Sequence, residues 1–181
     1  RQGLGLLVGL LLMPLVWLSV MTPIEERSAL LASGAPFRSA QQNHGIERAE
    51  GMPVDPFQAQ TIRYLQQVVP EGEPIYVGAG RHDRVFVNDV LLYFLANRPS
   101  ATAYYELHPG LTTTEEVQTR ILNDLDQKDV QYLIVYTAFD DVQEPNESAT
   151  SSGVSVLDDY VRANYQVLTQ FGPHYYVWKR R

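Results

Sequence analysis

The sequence predicts an α/β protein with a single N-terminal transmembrane helix. After the helix we expect a small three-layer Rossmann-like domain, with a mostly parallel sheet and a C-terminal antiparallel hairpin. Three observations predict this class. Residues 3–21 carry no charge, short apolar segments alternate with amphipathic ones from residue 55 onward, and two strand-like segments flank Gly172-Pro173. Alternation of strands and helices requires crossover connections and therefore a parallel sheet with helices on its faces.

The chain divides into three parts on this basis. Residues 1–21 form the anchor, residues 22–54 a connector rich in glycine and proline, and residues 55–181 the soluble domain. An uncharged helix over residues 3–21 has about the length of the hydrocarbon core of a bilayer, roughly 30 Å. Because the chain begins at Arg1 rather than methionine, we expect further residues upstream.

The anchor carries a pattern that predicts helix packing. Gly5 and Gly9 are four residues apart, and small residues at this spacing let a neighbouring membrane helix approach closely. The expected partners are therefore other membrane helices or membrane-protein subunits. The single charge before the span is Arg1, while residues 25–27 after it are net negative, which places the domain on the periplasmic or extracytoplasmic side.

Two other interpretations of the N-terminus compete with a retained anchor. The first is a secretory signal peptide that is cleaved near Ala32-Ser33-Gly34, although this site lies well beyond the end of the apolar segment. The second is a buried core helix, which is disfavoured because the segment has no polar face. The retained anchor explains both the length and the apolar character of residues 3–21.

The first half of the domain contains two helical segments around a strand. Asp55-Pro56 is a helix start, with an N-cap followed by proline, and Pro70 ends that helix. Residues 75–77 form a short strand that leads into a second helix over residues 85–97. A weak strand is predicted over residues 101–106.

The second half repeats the alternation. Thr113 and Glu116 form a capping box that opens a helix with Val117, Ile121 and Leu125 on one face. Residues 132–136 are an apolar segment suited to a central parallel strand, which we expect next to the Ile75 strand or one strand away.

A helix over residues 155–164 follows, and then the hairpin formed by residues 166–171 and 174–179. This hairpin is expected at one edge of the sheet.

Composition excludes several functions. The chain has 14 Lys and Arg residues against 21 Asp and Glu residues, a formal net charge of −7, so it has no electrostatic footprint for nucleic acid. It has no cysteine, which excludes disulfides and thiolate metal sites. Its four histidines, at positions 44, 82, 108 and 174, lack paired ligand spacing. The acidic loop over residues 140–147 lacks the spacing of an EF-hand loop. We therefore predict neither a metal site nor a cofactor.

The strongest candidate for a polar site follows the first strand. Arg81, His82, Asp83 and Arg84 form a dense cluster there, at the carboxyl edge where open α/β sheets usually bind ligands. A histidine beside an aspartate can act as a general base, but no nucleophile is placed by the sequence. The alternative is that these residues pair with one another or with Asp89 at the surface.

The preceding Gly78-Ala79-Gly80 is in the position of a phosphate-binding turn. The third glycine of the dinucleotide-binding pattern is replaced by Asp83, and no Walker lysine follows. An acidic side chain at that point would repel a pyrophosphate. The glycines therefore predict a tight turn between a strand and a helix.

Several segments together resemble a known family. They are residues 87–98 (VNDVLLYFLANR), 105–110 (YELHPG), 146–148 (NES), 157–160 (LDDY), 164–165 (NY) and 171–172 (FG). This set is similar to the C-terminal extracytoplasmic domain of bacterial polytopic glycosyltransferases of the GT-C type, which are related to dolichyl-phosphate-mannose protein mannosyltransferases. The resemblance covers roughly residues 60–178 and implies a last membrane helix before the domain.

The resemblance implies no catalytic residue in this chain. In that family the acidic catalytic residues lie in loops between early membrane helices, which this sequence does not contain. The chain is then expected to be a non-catalytic interaction or scaffolding domain, or the tail of a glycosyltransferase that uses a lipid phosphosugar. The alternative is a stand-alone single-pass accessory subunit of a large respiratory or photosynthetic membrane complex.

Overall fold

A four-stranded mixed sheet forms the centre of the fold. In the computed structural model its strands are β1 (Tyr76–Gly78), β2 (Tyr132–Tyr136), β3 (Tyr165–Phe171) and β4 (Tyr175–Arg180), in the order β1-β2-β4-β3. β1 and β2 are parallel, with Val77 opposite Ile134. β4 is antiparallel to both β2 and β3. The protein is therefore a mixed α/β structure.

The structure describes Ser28 and residues 44–50, 52–84, 87–106 and 108–181. The chain divides into two units, and the sheet belongs to the larger one, His44–Ala49 with Val54–Arg181. The predicted anchor, residues 1–21 with Gly5 and Gly9, and most of the connector lie outside the described residues. Within the described residues, no helix combines the length and the apolar character needed to cross a bilayer.

Four α-helices are present in the described part of this unit. They are α1 (Pro56–Val68), α2 (Leu91–Ala96), α3 (Glu115–Gln127) and α4 (Val156–Asn164). Two short 3-10 helices cover Glu47–Ala49 and Glu147–Ala149. The side chain of Asp55 caps α1 by accepting the N–H groups of Phe57 and Gln58 at 2.8 and 3.0 Å, and Pro56 occupies its first position, as predicted.

Both faces of the sheet are buried at β1 and β2. Tyr76, Leu133 and Trp178 are register partners and lie in one apolar cluster with residues of α3 and α4. Val77 and Ile134, the next residues along their strands, point to the opposite face and are fully buried there. Burial on both faces explains why residues 132–136 read as a continuous apolar segment.

The predicted pairing of the Ile75 strand with the Leu133 strand is confirmed. The strand after Ile75 and the strand that contains Leu133 are parallel neighbours, with Tyr76 opposite Leu133. The prediction of a mostly parallel sheet is wrong, because the described strands form one parallel pair and two antiparallel pairs.

The hairpin is the main cause of this difference. It joins the sheet through β4, so its second strand lies between β2 and β3 and contributes two antiparallel pairs. The prediction of a strand over residues 101–106 is wrong: these residues form no strand, and only Ser100, just before them, makes a parallel bridge with Ile75. In this segment the Ser100 and Thr102 hydroxyls bond to backbone groups two residues on, which competes with a strand ladder.

The helix predicted over residues 85–97 is shorter in the structure, where α2 begins at Leu91. Asn88 donates to the carbonyls of Val77 and Tyr105 at 2.8 and 2.9 Å. These bonds fix residue 88 in a segment without regular structure, where Val87 and Val90 are exposed. α2 ends at Asn97, which has a positive φ of 53°.

The capping residue of α3 differs by one position from the predicted one. Thr114, rather than Thr113, is the N-cap, and its hydroxyl accepts from the N–H of Val117 at 3.4 Å. The Thr113 hydroxyl instead accepts from the N–H of Gly110 at 2.9 Å. The predicted apolar face of the helix, Val117, Ile121 and Leu125, is buried.

Candidate functional site

A buried polar cluster lies where β1 ends. His82 is 3% exposed, and its Nδ1 is 2.6 Å from Oδ1 of Asp158 on α4. Its Nε2 is 2.9 Å from the hydroxyl of Tyr76 on β1. The backbone N–H of His82 donates to the second carboxylate oxygen of Asp158 at 3.1 Å. We call His82, Asp158, Tyr76 and the adjacent Gln118 the His82 cluster.

Gln118 connects this cluster to two helices. Its side chain on α3 is fully buried and donates to the carbonyl of His82 at 2.8 Å. Its side-chain oxygen accepts from the N–H of Leu157, in the first turn of α4, at 3.1 Å. The polar groups of the cluster therefore hold the β1 loop, α3 and α4 together.

The other three predicted site residues bond to nearby loops. Arg81 forms an ion pair with Asp83, with Nε 2.6 Å from Oδ1. Asp83 also accepts from the Ser151 hydroxyl. Arg84 donates to the carbonyl of Asp140 and lies 3.6 Å from the carboxylate of Asp141. The prediction that these residues pair with one another thus holds for Arg81 and Asp83.

The pKa values that shift in this region follow from these contacts. The hydrogen bond from Arg81 is the main reason that the pKa of Asp83 falls to about 2. Burial, with smaller contributions from Tyr93 and Asp158, raises the pKa of Tyr76 well above its usual value. Tyr76 is therefore a neutral hydroxyl group that can donate to His82.

Gly78 and Gly80 are glycines because other side chains lie where their Cβ atoms would be. A Cβ atom at Gly78 would lie 2.6 Å from the Tyr76 ring and 2.9 Å from Nε2 of His82. A Cβ atom at Gly80 would collide with the carboxylate of Asp140, which accepts from the Gly80 N–H at 3.2 Å. The turn thus makes room for the His82 cluster and the acidic loop.

A cavity of about 120 Å³ borders the cluster, between the sheet and α4. Tyr76, His82 and Asp158 line it, together with Trp178 and Arg162. The indole N–H of Trp178 is buried and has no hydrogen-bond partner within the described structure. A space of this size is comparable to cavities that admit a small ring or a few waters.

The chemistry open to the cluster is a proton relay. In the tautomer with the proton on Nδ1, His82 donates to Asp158 and its Nε2 accepts from the Tyr76 hydroxyl. An aspartate that orients a histidine is the arrangement of many general bases. In this cluster the group facing Nε2 is a buried phenol that is 2% exposed, so the pair activates no exposed nucleophile among the described residues.

Sequence reasoning placed His82 in the site but missed Asp158 and Gln118. His82 is buried rather than at the surface, and Asp89 bonds to Gln58 and Tyr175 instead of to the Arg81–Arg84 segment. A usable signal existed, because Asp158 lies beside the inward-facing Leu157 of α4. A carboxylate on the apolar face of a helix indicates a buried polar partner.

Among the described residues, no group of three or more His, Asp or Glu side chains is arranged to hold a metal ion. No protein-family model matches the chain, and no curated protein sequence matches it.

Proposed function

We propose that this chain is a non-catalytic, membrane-anchored extracytoplasmic domain that acts in interaction or scaffolding. In this proposal residues 1–21 anchor a three-layer Rossmann-like domain on the periplasmic side. The domain resembles the C-terminal domain of a GT-C-type glycosyltransferase, and the anchor contacts other membrane helices or membrane-protein subunits through Gly5 and Gly9.

One observation supports the non-catalytic role most directly. The polar side chains that follow β1, at the carboxyl edge where α/β enzymes usually bind substrate, bond to one another and to neighbouring helices. His82 bonds to Asp158 and Tyr76, and Gln118 bonds to His82 and Leu157. Buried groups bonded in this way stabilise a fold and fix the positions of its loops.

An activity assay with a matched variant tests the non-catalytic role. We expect the purified chain to show no sugar transfer from a lipid-linked donor and no hydrolase turnover. Any transfer or hydrolysis by the wild-type chain would contradict the proposal, and its loss in His82→Asn would show that the imidazole acts on the substrate. Asp159→Asn, which changes an exposed carboxylate of α4, is the control.

The use of the anchor is tested separately. Leucine at Gly5 and Gly9 fills the space through which two helix backbones approach. The free energy of association with membrane partners should therefore weaken by about 1–3 kcal/mol, and less of the partner should co-purify. Gly3→Leu is the control, since it lies outside the pair of glycines four residues apart. Undiminished recovery of the double variant would show that these glycines do not form a helix interface.

The second candidate is a stand-alone accessory subunit of a large respiratory or photosynthetic membrane complex. The acidic composition and the predicted single span suit this role as well as the first. The reading frame upstream of Arg1 separates the two: a frame encoding many more spans favours the transferase domain, and a start codon just before Arg1 favours the accessory subunit.

A further inference from the structure

A second cavity lies at the carboxyl end of β2, on the opposite face of the sheet from the His82 cluster. Val135 lines the first cavity, and Tyr136, the next residue along the strand, lines the second. The second cavity has a volume of about 330 Å³ and opens to solvent. We call it the Tyr136 pocket; its lining residues are Asp55, Phe57, Tyr136, Pro173, His174 and Tyr175.

Aromatic rings form much of its wall. The rings of Tyr136 and Tyr175 are 4.8 Å apart between centroids and inclined at 32°. Phe57, at the start of α1, is 41% exposed although it is a large apolar side chain. The faces of such rings carry partial negative charge and attract cations.

Two carboxylates lie near these rings and make the pocket more negative. Asp55 is one lining residue, and Asp89 lies behind Tyr175, whose hydroxyl donates to it at 3.0 Å. Gln58 donates to the same carboxylate oxygen of Asp89 at 2.7 Å. Burial, followed by the charge of Asp89, raises the pKa of both Tyr136 and Tyr175, and Asp55 contributes in the same direction.

No lysine or arginine forms an ion pair with these carboxylates within the described residues, and the Nδ1 atom of His174, the basic side chain in the lining, lies 3.4 Å from the Thr137 hydroxyl. The ion pairs there involve neither Asp55 nor Asp89. The positive end of the α1 dipole lies at Asp55, but it amounts to about half a unit charge and leaves the carboxylate net negative. The chain as a whole is also acidic, with a net charge of −7.

We propose that the Tyr136 pocket binds an organic ammonium group, such as the trimethylammonium group of choline. The rings of Tyr136, Tyr175 and Phe57 contact the cation, and Asp55 and Asp89 supply the balancing charge. Aromatic walls with nearby carboxylates recognise ammonium groups through cation–π and Coulomb attraction. This proposal depends on neither the anchor nor the scaffolding role, so either can fail without the other.

The test compares two ligands of the same shape and different charge. Choline and its neutral analogue 3,3-dimethyl-1-butanol are titrated into the full chain in maltoside micelles, and binding is followed by NMR. Choline should bind at least about fivefold more tightly, since a cation–π contact adds about 1 kcal/mol and each 1.4 kcal/mol is tenfold. Equal binding of the two ligands, or no binding of choline, overturns the proposal.

Three variants locate the site. Tyr136→Leu removes a ring, and Asp55→Asn and Asp89→Asn each remove a charge; each change should weaken choline binding about two- to fivefold. Asparagine at position 55 keeps the N-cap of α1, so this variant serves even if Tyr136→Leu fails to fold. Tyr132→Leu at the other end of β2 and Asp159→Asn on α4 are matched controls. Unchanged affinity in Asp55→Asn and Asp89→Asn together would contradict the proposal.

The ammonium group can belong to a free solute or to a lipid headgroup. Glycerophosphocholine, titrated in the same way, separates the two sources. Binding at least as tight as that of choline points to a headgroup, because its phosphate is then tolerated beside Asp55. Weaker binding than choline points to a free cation, and both results support the ammonium site.

Discussion

Two clusters of polar and aromatic residues occupy the same edge of the sheet, one on each face, and they differ in how completely they are closed. The His82 cluster is buried, with Tyr76, His82 and Asp158 all less than 10% exposed. The Tyr136 pocket holds exposed Phe57 and Asp55 beside buried Tyr175. His82, the one residue of the predicted polar site that belongs to the His82 cluster, thus lies in the more internal of the two.

This difference in burial distinguishes polar groups that stabilise the fold from polar groups that are free to bind a ligand. In the His82 cluster each side-chain oxygen of Asp158 is hydrogen-bonded to His82, so both oxygens have partners within the protein. In the Tyr136 pocket, neither Asp55 nor Asp89 forms an ion pair within the described residues. A satisfied buried network stabilises the fold, whereas an unbalanced and accessible charge favours a ligand.

The largest expected effect is the removal of the carboxylate at the centre of the closed cluster. Asp158→Ala leaves the His82 backbone N–H and its ring without their acceptor, which should lower the free energy of unfolding by about 2–4 kcal/mol. Urea unfolding of the full chain measures this. Asp159→Ala, at the next and exposed position of α4, should change stability by less than about 0.5 kcal/mol.

Equal urea midpoints for the two alanine variants would show that Asp158 is not a structural centre. The same scan with Asp89→Ala sharpens the comparison, because Asp89 is only half-buried and accepts from Gln58 and Tyr175. We expect a smaller loss than for Asp158→Ala.

The second comparison is between the stability costs of alanine at Gly78, beside the His82 cluster, and at Gly172, beside Phe57 of the Tyr136 pocket. A Cβ atom at Gly78 would meet the Tyr76 ring and His82 in a buried site, so Gly78→Ala should cost about 2–3 kcal/mol. A Cβ atom at Gly172 would lie 2.4 Å from the Phe57 ring, but Phe57 is exposed and can turn away. Gly172→Ala should then cost about 1–2 kcal/mol, mainly for its positive φ of 58°.

Thermal unfolding of the two alanine variants checks this order. Gly110→Ala is a useful reference, since Gly110 has a φ of 76° with nothing within 4 Å of its Cβ position. It isolates the backbone contribution from the steric one. A larger loss in Gly172→Ala than in Gly78→Ala would contradict the view that the closed cluster is the tighter region.

The sequence predicted elements whose signals are local. The N-cap and proline of α1, the apolar face of α3 and the residues of β2 are set by neighbours in the chain, and all three appear as expected. The position of β4 between β2 and β3 depends on packing between distant segments. No local sequence pattern predicts that the second strand of the hairpin, rather than the first, pairs with β2.

The candidate site was predictable only in part for the same reason. His82 was identified from its position after β1, but its partner Asp158 lies 76 residues further on. The Tyr136 pocket unites α1, the end of β2 and the hairpin, which are separated by long stretches of sequence. Its residues have no shared motif, so only the folded structure brings them together.

The smallest expected effect is a difference in pH dependence between the two faces. The Arg81 hydrogen bond lowers the pKa of Asp83 to about 2, from an ordinary value of 3.8. Its contribution to stability is therefore present above about pH 4 and is lost as the pH falls toward 2. Because Arg81 is 42% exposed, solvent screening limits this contribution to about 1 kcal/mol.

Asp89 should show the opposite sign. Burial raises its pKa, so Asp89 binds a proton more readily in the folded than in the unfolded chain, and the stability gained from that proton is lost as the pH rises through the raised value. Urea midpoints of wild type, Asp83→Asn and Asp89→Asn between about pH 2.5 and 7 measure both effects. Relative to wild type, Asp83→Asn should lose stability as the pH rises, and Asp89→Asn should gain it. Slopes of the same sign would refute the contrast, because they would mean that Asp89 is paired with a cation in the folded chain, as Asp83 is with Arg81.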